Sequence, residues 1–313
     1  MNLFAAIDIG GTAIKYGVVT QEGKVLCQKK IPTEAYHGGC ILMQKVIHLV
    51  EELQSEYPTI EGIGVSTAGQ VNPIDGSILF ATETLPGWTG MEVSAILQKH
   101  FNLPVQVEND VNAAALGEAW QGAGKQAKNF LCLTIGTGIG GAIVLDDQLY
   151  RGEKGIAAEF GHIPIVPDGR PCTCGNKGCF EQYASTTALV REVQSIVQQK
   201  EIDGRWIFQQ AQLGNQQCQE AIDQWVKNIA IGLTTLTYIF NPSLIVIGGG
   251  ISAQGESLMQ QIQEHLQEML MPSFYKGLKV RSASCGNTAG MLGAVYSLLM
   301  RKKLNQCNYS IIQ

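Results

Sequence analysis

The sequence predicts an α/β protein made of two related halves. The clearest observation is a strand, a glycine-rich turn and a returning strand that occur at residues 7–12 and again at 134–139. Short apolar runs alternate with longer segments whose apolar residues recur at helical spacing, as expected when strands and helices alternate. The length of 313 residues also suits about two domains of roughly 150 residues each.

The first half is predicted to open as an antiparallel β-meander and to continue with alternating helices and strands. The predicted strands are 4–9, 14–19, 24–31, 63–65 and 105–107, and the predicted helices are 40–55, 93–101 and 111–120. Apolar side chains recur at helical spacing from Ile41 to Leu53, and Tyr57 and Pro58 end that helix.

The second half repeats the opening hairpin. The predicted strands are 130–135 and 142–145, around the turn 136–141, and a later strand at 244–247 that ends in 248–250. The last helix, at about 288–302, is expected to pack back on the first half. We therefore predict one lobe of residues 1–115, joined by that helix, and a second lobe of residues 116–287.

Composition and charge exclude several classes of protein. Hydrophobic residues make up 45% and charged residues 16% of the chain, which excludes a disordered protein. Because 22 Lys+Arg face 27 Asp+Glu, no broad basic surface for nucleic acid is expected. The longest apolar run, 229–240, is shorter than the about 20 residues that cross a membrane. With no export signal in view, the sequence predicts a cytoplasmic protein.

The two glycine-rich turns are candidates for binding phosphate. Glycine permits positive φ, and successive backbone N–H groups in such a turn form a nest for an anion. One turn alone means little because hairpins need glycine anyway, but two at equivalent positions suggest a clamp on one nucleotide. Neither turn has the spacing of a P-loop or of a dinucleotide fingerprint. The candidates are Gly10, Gly11, Thr12, Gly136, Thr137, Gly138 and Gly140.

Two carboxylates lie where predicted strands end. Asp8 precedes the first glycine turn and could hold Mg²⁺ through water beside nucleotide phosphates, or simply stabilise the turn. Lys15, on the returning strand, could approach a phosphate or remain a solvated strand residue. Asp110 follows the strand at 105–107, where ligands collect in α/β sheets. Alternatively, Asp110 or Asn109 could only cap the helix that begins at Val111.

Four residues of the second half have the chemistry of a structural zinc site: His162, Cys172, Cys174 and Cys179. Three thiolates and one imidazole complete the tetrahedral coordination of Zn²⁺ and leave no position open for water. The spacing is not that of a zinc finger, and the alternatives are a disulfide or free thiols. An odd total of nine cysteines, without an export signal, argues against a disulfide framework.

Taken together and in order, these motifs resemble the ROK family of bacterial sugar kinases and repressors. The matching segments are DIGGT at 8–12, END at 108–110, GTGIGG at 136–141, EFGH at 159–162 and CTCGNKGCFE at 172–181, within a resemblance that covers residue 4 to about 300. It implies the actin-like, ribonuclease-H-like fold, with two α/β lobes and an interlobe cleft. It also implies ATP with Mg²⁺, and a hexose acceptor bound in that cleft.

The resemblance implies a role for each candidate residue. Asp110 would be the base that faces the sugar hydroxyl. The residues that would bind the sugar are Asn109, Glu159, His162, Glu181 and Gly69. The glycine turns, with Asp8 and Lys15, would hold the ATP phosphates, and Gly248 and Gly249 would lie near adenosine. His162 would hold zinc with one ring nitrogen and could use the other on the sugar.

The sequence departs from the family pattern at two places. The first motif of the family usually has lysine where this chain has Ala13, although Lys15 is in place. The family's segment near the end has aspartate where this chain has Thr288, so we assign position 288 no role.

The leading expectation is an ATP-dependent kinase that converts glucose to glucose 6-phosphate. N-acetylmannosamine, N-acetylglucosamine, allose or a β-glucoside are the alternative acceptors, and the segment 85–88 resembles a glucokinase and slightly favours glucose. A sugar-responsive repressor of the same family is disfavoured, because the glycine motif at residue 8 leaves no room before it for a winged-helix domain. The family suggests a homodimer, with no nucleic acid or membrane partner.

Overall fold

The computed structural model describes residues 1–197 and 201–310. Its twelve strands within those residues are β1 Leu3–Ile9, β2 Ala13–Thr20, β3 Val25–Pro32, β4 Ile60–Thr67, β5 Gln70–Val71, β6 Ile78–Phe80, β7 Val105–Asn109, β8 Phe130–Ile135, β9 Ile139–Leu145, β10 Gln148–Leu149, β11 Leu244–Gly248 and β12 Lys279–Ser282. Each strand predicted from the sequence overlaps one of these strands.

Ten α-helices lie in the same described part of the chain: α1 Gly39–Glu56, α2 Val93–Phe101, α3 Asp110–Gln121, α4 Glu181–Ala184, α5 Thr186–Val197, α6 Gly204–Gln212, α7 Gln216–Phe240, α8 Gly255–Met269, α9 Pro272–Tyr275 and α10 Ala289–Ser310. Four 3₁₀ turns occur at Ala35–His37, Phe160–His162, Gly250–Gln254 and Gly286–Thr288. The last helix runs about two turns beyond the predicted end at 302, because no glycine or proline interrupts the residues that follow Arg301.

Two five-stranded sheets have equivalent strand orders. The first is β3-β2-β1-β4-β7 and the second is β10-β9-β8-β11-β12. In each, an antiparallel hairpin is followed by two strands that lie parallel to the first strand of the hairpin. The repeated hairpin predicted from the sequence is therefore the start of a repeated sheet.

The chain divides into two compact units, and each has its own apolar core. The first unit comprises 1–126, 147–157 and the segment from Ser284 onward, and the second comprises 127–146 and 158–283. The first unit thus continues to Gln126, past the predicted division at 115, because α3 stays whole. Its core lies between the sheet and α1, and that of the second unit lies between the sheet and α7.

None of the described helices is long and apolar enough to span a lipid bilayer.

Helix α10 packs against α3 and β4 through positions that have no side chain. A Cβ on Gly293 would lie 1.6 Å from the backbone oxygen of Ala113, and a Cβ on Gly117 would lie 2.3 Å from that of Ala289. On the strand side, a Cβ on Gly64 would lie 2.6 Å from the backbone of Ala294. These close approaches explain why the C-terminal helix belongs to the first unit.

We expect Gly293→Ala to lower the free energy of unfolding by about 3 kcal/mol, because the added methyl group must push two backbones apart. Urea denaturation measures the loss. Gln98→Ala, on the exposed face of α2, is the control and should change stability by less than about 0.5 kcal/mol. A Gly293→Ala protein as stable as the control would contradict the close packing of α10.

Candidate active site

Asp8 is held from both sides by the register of its sheet. Lys15 lies directly opposite on β2 and Ser66 lies beside it on β4. The Lys15 Nζ is 3.2 Å from Asp8 Oδ2, and the Ser66 hydroxyl donates to Oδ1 at 2.8 Å. Lys15 is therefore not only a solvated strand residue, because it pairs with Asp8.

The carboxylate of Asp8 also lies against the beginning of α10. A Cβ on Gly290 would come within 2.6 Å of Asp8 Oδ1, so glycine is required in the first turn of that helix. The start of a helix carries partial positive charge, which favours a carboxylate there. Sequence reasoning missed Ser66 and Gly290, because only tertiary packing brings them to Asp8.

Asn109, and not Asp110, caps helix α3. The Asn109 side chain accepts hydrogen bonds from the backbone N–H groups of Val111 and Asn112, at 3.0 and 3.1 Å. Its Nδ2 donates to the Gly69 carbonyl and to Asp110 Oδ1, both at 2.9 Å. Gly69 lies at φ 106°, which favours glycine. The backbone carbonyl of Gly69 therefore holds the Asn109 side chain in place.

Asp110 is the first residue of α3 and is free of the capping role. In the described structure, the hydrogen bonds that it accepts from Asn109 and Val111 both fall on Oδ1, which leaves Oδ2 able to accept a proton. Burial, and then the negative charge of Asp8, raise the pKa of Asp110 to about 6, against the opposing effect of those hydrogen bonds. A pKa near the working pH suits a general base.

A buried carboxylate lies immediately before this pair. Glu108 is 4% exposed, and its Oε2 accepts from Arg151 at 2.5 Å and from the Ser297 hydroxyl at 3.2 Å. Its Oε1 accepts from the backbone N–H of Asn109 and from Asn112 Nδ2, both at 3.3 Å. Arg151 and Ser297 come from distant segments of the first unit, so no local sequence signal pointed to them.

The four predicted zinc ligands of the second unit come together. One ligand atom from each of His162, Cys172, Cys174 and Cys179 lies within 4.8 Å of all the others. Cys172 Sγ is 3.6 Å from His162 Nδ1, and the Sγ atoms of Cys174 and Cys179 are also 3.6 Å apart. Ligands about 2.0–2.3 Å from a tetrahedral Zn²⁺ are separated by roughly these distances. The donor set therefore fits zinc.

The protonation of the thiols depends on what they bind. Burial, together with Cys174 and Cys172, raises the pKa of Cys179 to about 12, whereas the backbone of Asn176 lowers the pKa of Cys174. A bound metal ion deprotonates a coordinating thiol.

Glu181 lies between the cluster of His162 and the three cysteines and the second glycine turn. Its Oε1 accepts from Cys172 Sγ at 3.2 Å, and a Cβ on Gly138 would lie 2.8 Å from its Oε2. Glu159 is exposed and immediately precedes the 3₁₀ turn Phe160–His162, so it lies three residues before His162 on a single turn. The structure thus places Glu181, Glu159 and His162 around one loop.

Two arginines also hold the loop between His162 and Glu181. Arg170 lies within it, donates to the backbone oxygen of Gln182 at 3.1 Å and pairs with Glu192 at 2.7 Å. Arg191 donates to the same Gln182 oxygen at 2.6 Å. These contacts hold the first turn of α4, in which Gln182 directly follows Glu181.

The second glycine turn and the 248–249 segment are neighbours. Strands β8 and β11 are parallel, and Gly248 pairs with Thr134 two residues before Gly136. Gly249 lies at φ 84°, and a Cβ there would be 2.5 Å from the Ile135 oxygen. The structure therefore brings together two predicted cofactor segments that are more than a hundred residues apart in the sequence.

One reason given for the glycine turns was wrong. Gly10, Gly11, Gly136 and Gly138 do not lie at positive φ. Instead, a Cβ on Gly136 would meet no atom within 4 Å, and one on Gly11 would meet only Thr84, at 3.6 Å. Thr12 and Thr137 are exposed beside them. The missing side chains leave open space at Gly136 and Gly11, whereas a Cβ on Gly10 would lie 3.2 Å from the Ala13 oxygen and one on Gly138 would lie 2.8 Å from Glu181 Oε2. Positive φ is not the reason for glycine at any of the four positions.

The segment 85–88 has a structural role. Leu85 and Trp88 are buried, and Trp88 Nε1 donates to Thr67 Oγ1 at 3.0 Å. These two large side chains therefore anchor the segment in the core of the first unit. Since both are buried there, neither is placed to bind a sugar, and the resemblance of this segment to a glucokinase does not favour glucose through them.

Comparisons with known proteins agree with this geometry. The family model described as "ROK family" matches residues 4–302. The glucokinase of Streptomyces coelicolor is 35% identical over 94% of this chain and 96% of its own length. The crystal structure of a ROK family glucokinase from Streptomyces griseus, in complex with glucose and AMPPNP, is 33% identical, has a TM-score of 0.81 and covers 94% of this chain and 98% of that one.

Relatives with other functions are similar too. The beta-glucoside kinase of Listeria innocua is 35% identical over 96% of this chain and 99% of its own length. The xylose repressor of Caldicellulosiruptor bescii is 31% identical over 92% of this chain but only 76% of its own length. The fold is the actin-like, ribonuclease-H-like α/β fold with two lobes. With a family model that matches almost its whole length, this chain belongs to the ROK family.

Proposed function

We propose that this protein is an ATP-dependent sugar kinase that phosphorylates a hexose hydroxyl, with glucose as the leading acceptor. The observation that carries the proposal is the state of Asp110, a carboxylate relieved of capping by Asn109 and left with a free oxygen at the end of β7. Phosphoryl transfer needs mainly positioning, charge neutralisation and a carboxylate that receives the hydroxyl proton. Similarity to glucokinases supports the same reaction.

In the proposed reaction, the sugar hydroxyl attacks the γ-phosphorus of ATP, the bond from that phosphorus to the β–γ bridging oxygen breaks, and ADP leaves. The proton of the hydroxyl passes to Asp110 Oδ2. Five residues would position the sugar: Asn109, Glu159, His162, Glu181 and Gly69, the last through its carbonyl on Asn109. The cofactor residues would be Asp8, Gly10, Gly11, Thr12, Lys15, Gly136, Thr137, Gly138, Gly140, Gly248 and Gly249. Mg²⁺ would neutralise phosphate charge, with Asp8 as its carboxylate partner through water.

Zinc would be structural in this proposal. His162 Nδ1 faces Cys172, which leaves Nε2 for the sugar and fixes the tautomer of the ring. The protein would work in the cytoplasm, where ATP is available and thiols stay reduced. We also propose a homodimer, which the exposed apolar side chains of Tyr238, Ile239 and Met271 support.

The acceptor is best identified by an ADP-release assay across a panel of sugars. Glucose should give the highest kcat/KM among glucose, N-acetylmannosamine, N-acetylglucosamine, allose and a β-glucoside. A preference for a β-glucoside would favour the activity of the Listeria relative. No ADP release with any sugar would favour a sugar-responsive regulator, as in the xylose repressor.

We expect Asp110→Asn to lower kcat by about 10²–10⁴-fold, because an amide cannot accept the hydroxyl proton. The fold should persist because Asn109 remains as the cap, and thermal unfolding checks this. Asp203→Asn is the matched control, since Asp203 caps α6 and an amide can still accept from Trp206 N–H. ADP release measures both variants.

The pH profile gives a second readout of the same substitution. Below pH about 6, protonation of Asp110 removes the proton acceptor, so wild-type kcat/KM should fall along an acid limb near that pH. The residual activity of Asp110→Asn should lack this limb. A variant that works at the wild-type rate, or keeps the limb, would reduce Asp110 to a structural residue.

We expect Gly136→Val to raise the KM for ATP much more than the KM for the sugar. The new side chain would enter space that no protein atom occupies and that a phosphate would need. Gly138 is a poorer site for this test, because a side chain there would also displace Glu181. Equal increases in both KM values would indicate misfolding and would argue against a phosphate site at this turn.

We expect about one zinc per chain by elemental analysis, and a raised sugar KM with little change for ATP in Cys174→Ser. The metal joins the segment that carries Glu159 to the loop that carries Glu181, so its loss should affect the sugar first. Cys40→Ser, at an exposed thiol outside the cluster, is the control. Active protein without stoichiometric zinc, or an unchanged sugar KM in Cys174→Ser, would refute the assignment.

A further inference from the structure

The first unit contains a cavity of about 350 Å³ that none of the proposed substrate or cofactor residues lines. Strand β7 contributes Gln106 and helix α10 contributes Ser297 and Arg301, while Arg151 closes another side. Leu116 and Leu149 supply apolar walls. This volume lies within the range of about 300–1,000 Å³ that is usual for small-molecule sites.

The charge of the lining favours an anion. Among the described residues that line the cavity, two are arginines and none is acidic. Glu108, outside the lining, neutralises Arg151. Among the described residues, Arg301 donates only to neutral acceptors, Gln106 Oε1 at 2.7 Å and the Ile74 carbonyl at 2.8 Å. One positive charge is therefore left over, on a side chain that remains exposed.

Arg151 also has an unused donor. Its Nε is buried and has no hydrogen-bond partner among the described residues, although its Nη2 binds Glu108. Leaving a buried donor without a partner is unfavourable, so a small rotation of the guanidinium towards an anionic oxygen would be favoured. Guanidinium groups bind phosphate and carboxylate through such paired donors.

Arg151 connects the cavity to the catalytic strand. Gln106 and Glu108 are two residues apart on β7 and thus point to the same face of the sheet. The other oxygen of Glu108 holds the backbone N–H of Asn109 and the side chain of Asn112, in the turn that presents Asp110. A ligand that draws Arg151 away would weaken this support.

We propose that the cavity is a second ligand site, for a small organic anion with one phosphate or carboxylate group and an apolar body, and that its occupation slows turnover through Arg151 and Glu108. The anionic group would bind Arg301 and Arg151, and the apolar body would contact Leu116 and Leu149. The effect on turnover rests on the proposed kinase function, whereas binding does not.

Binding is tested by calorimetry with phenyl phosphate and with benzoate, which separate a phosphate ligand from a carboxylate ligand, and with benzyl alcohol as the neutral control. Saturating AMPPNP, Mg²⁺ and glucose are present, so that the proposed active site is filled. We expect saturable binding of at least one anion and none of the alcohol. Arg301→Gln should weaken binding about tenfold or more. Arg205→Gln, an exposed arginine of α6, should not.

Turnover is measured with the same anion. The wild-type kcat should fall about two- to thirtyfold at saturation, while Arg301→Gln should keep its kcat whether or not the anion is present. No saturable binding, or equal binding to Arg301→Gln and wild type, would overturn the site. Binding without a change in kcat would overturn the coupling. If no sugar is phosphorylated, calorimetry still shows whether the cavity binds an anion. Failure of the proposed kinase function is therefore distinguished from failure of the second site.

Discussion

The register of the parallel strands β1, β4 and β7 is the constraint on which the proposed chemistry of the first unit depends. It sets Asp8 beside Ser66 and, one residue later, Thr67 beside Asn109. Because side chains alternate across a strand, a slip of one residue would turn the Asp8 carboxylate to the opposite face. The hairpin adds Lys15 from the other side, so Asp8 is fixed by main-chain pairing before any ligand is considered.

Much of the fold could be predicted because its signals are local. The hairpins, the helices and the repeated order of elements follow from apolar spacing and from glycine turns, and the structure confirms them. The cluster of His162, Cys172, Cys174 and Cys179 could be predicted because these four uncommon donors lie within eighteen residues, and the structure brings them together. Contacts between distant segments gave no such signal: Ser66 and Gly290 at Asp8, and Arg151 and Ser297 at Glu108, appear only once the sheets and α10 are assembled.

At the glycine turns, the physical reason expected from the sequence differs from the one that the structure gives. Positive φ was the expected cause at both turns, yet only Gly249, among the cofactor glycines predicted from the sequence, lies there. At Gly136 the sheet leaves open space, whereas at Gly290 a carboxylate fills the space that a side chain would need. The same residue type thus serves ligand access in one place and close packing in another, and the sequence alone does not separate the two.

The buried pair of Glu108 and Arg151 has a cost that its position helps to explain. Two charges removed from water repay their desolvation only when further hydrogen bonds satisfy them, and Glu108 has three besides the arginine. Arg151 is less well satisfied, since its Nε has no partner among the described residues. The member of the pair with an unpaired buried donor is therefore the one that borders the cavity. For this reason an anion bound in the cavity would act first on Arg151, whereas Glu108 holds the turn that contains Asp110 in place.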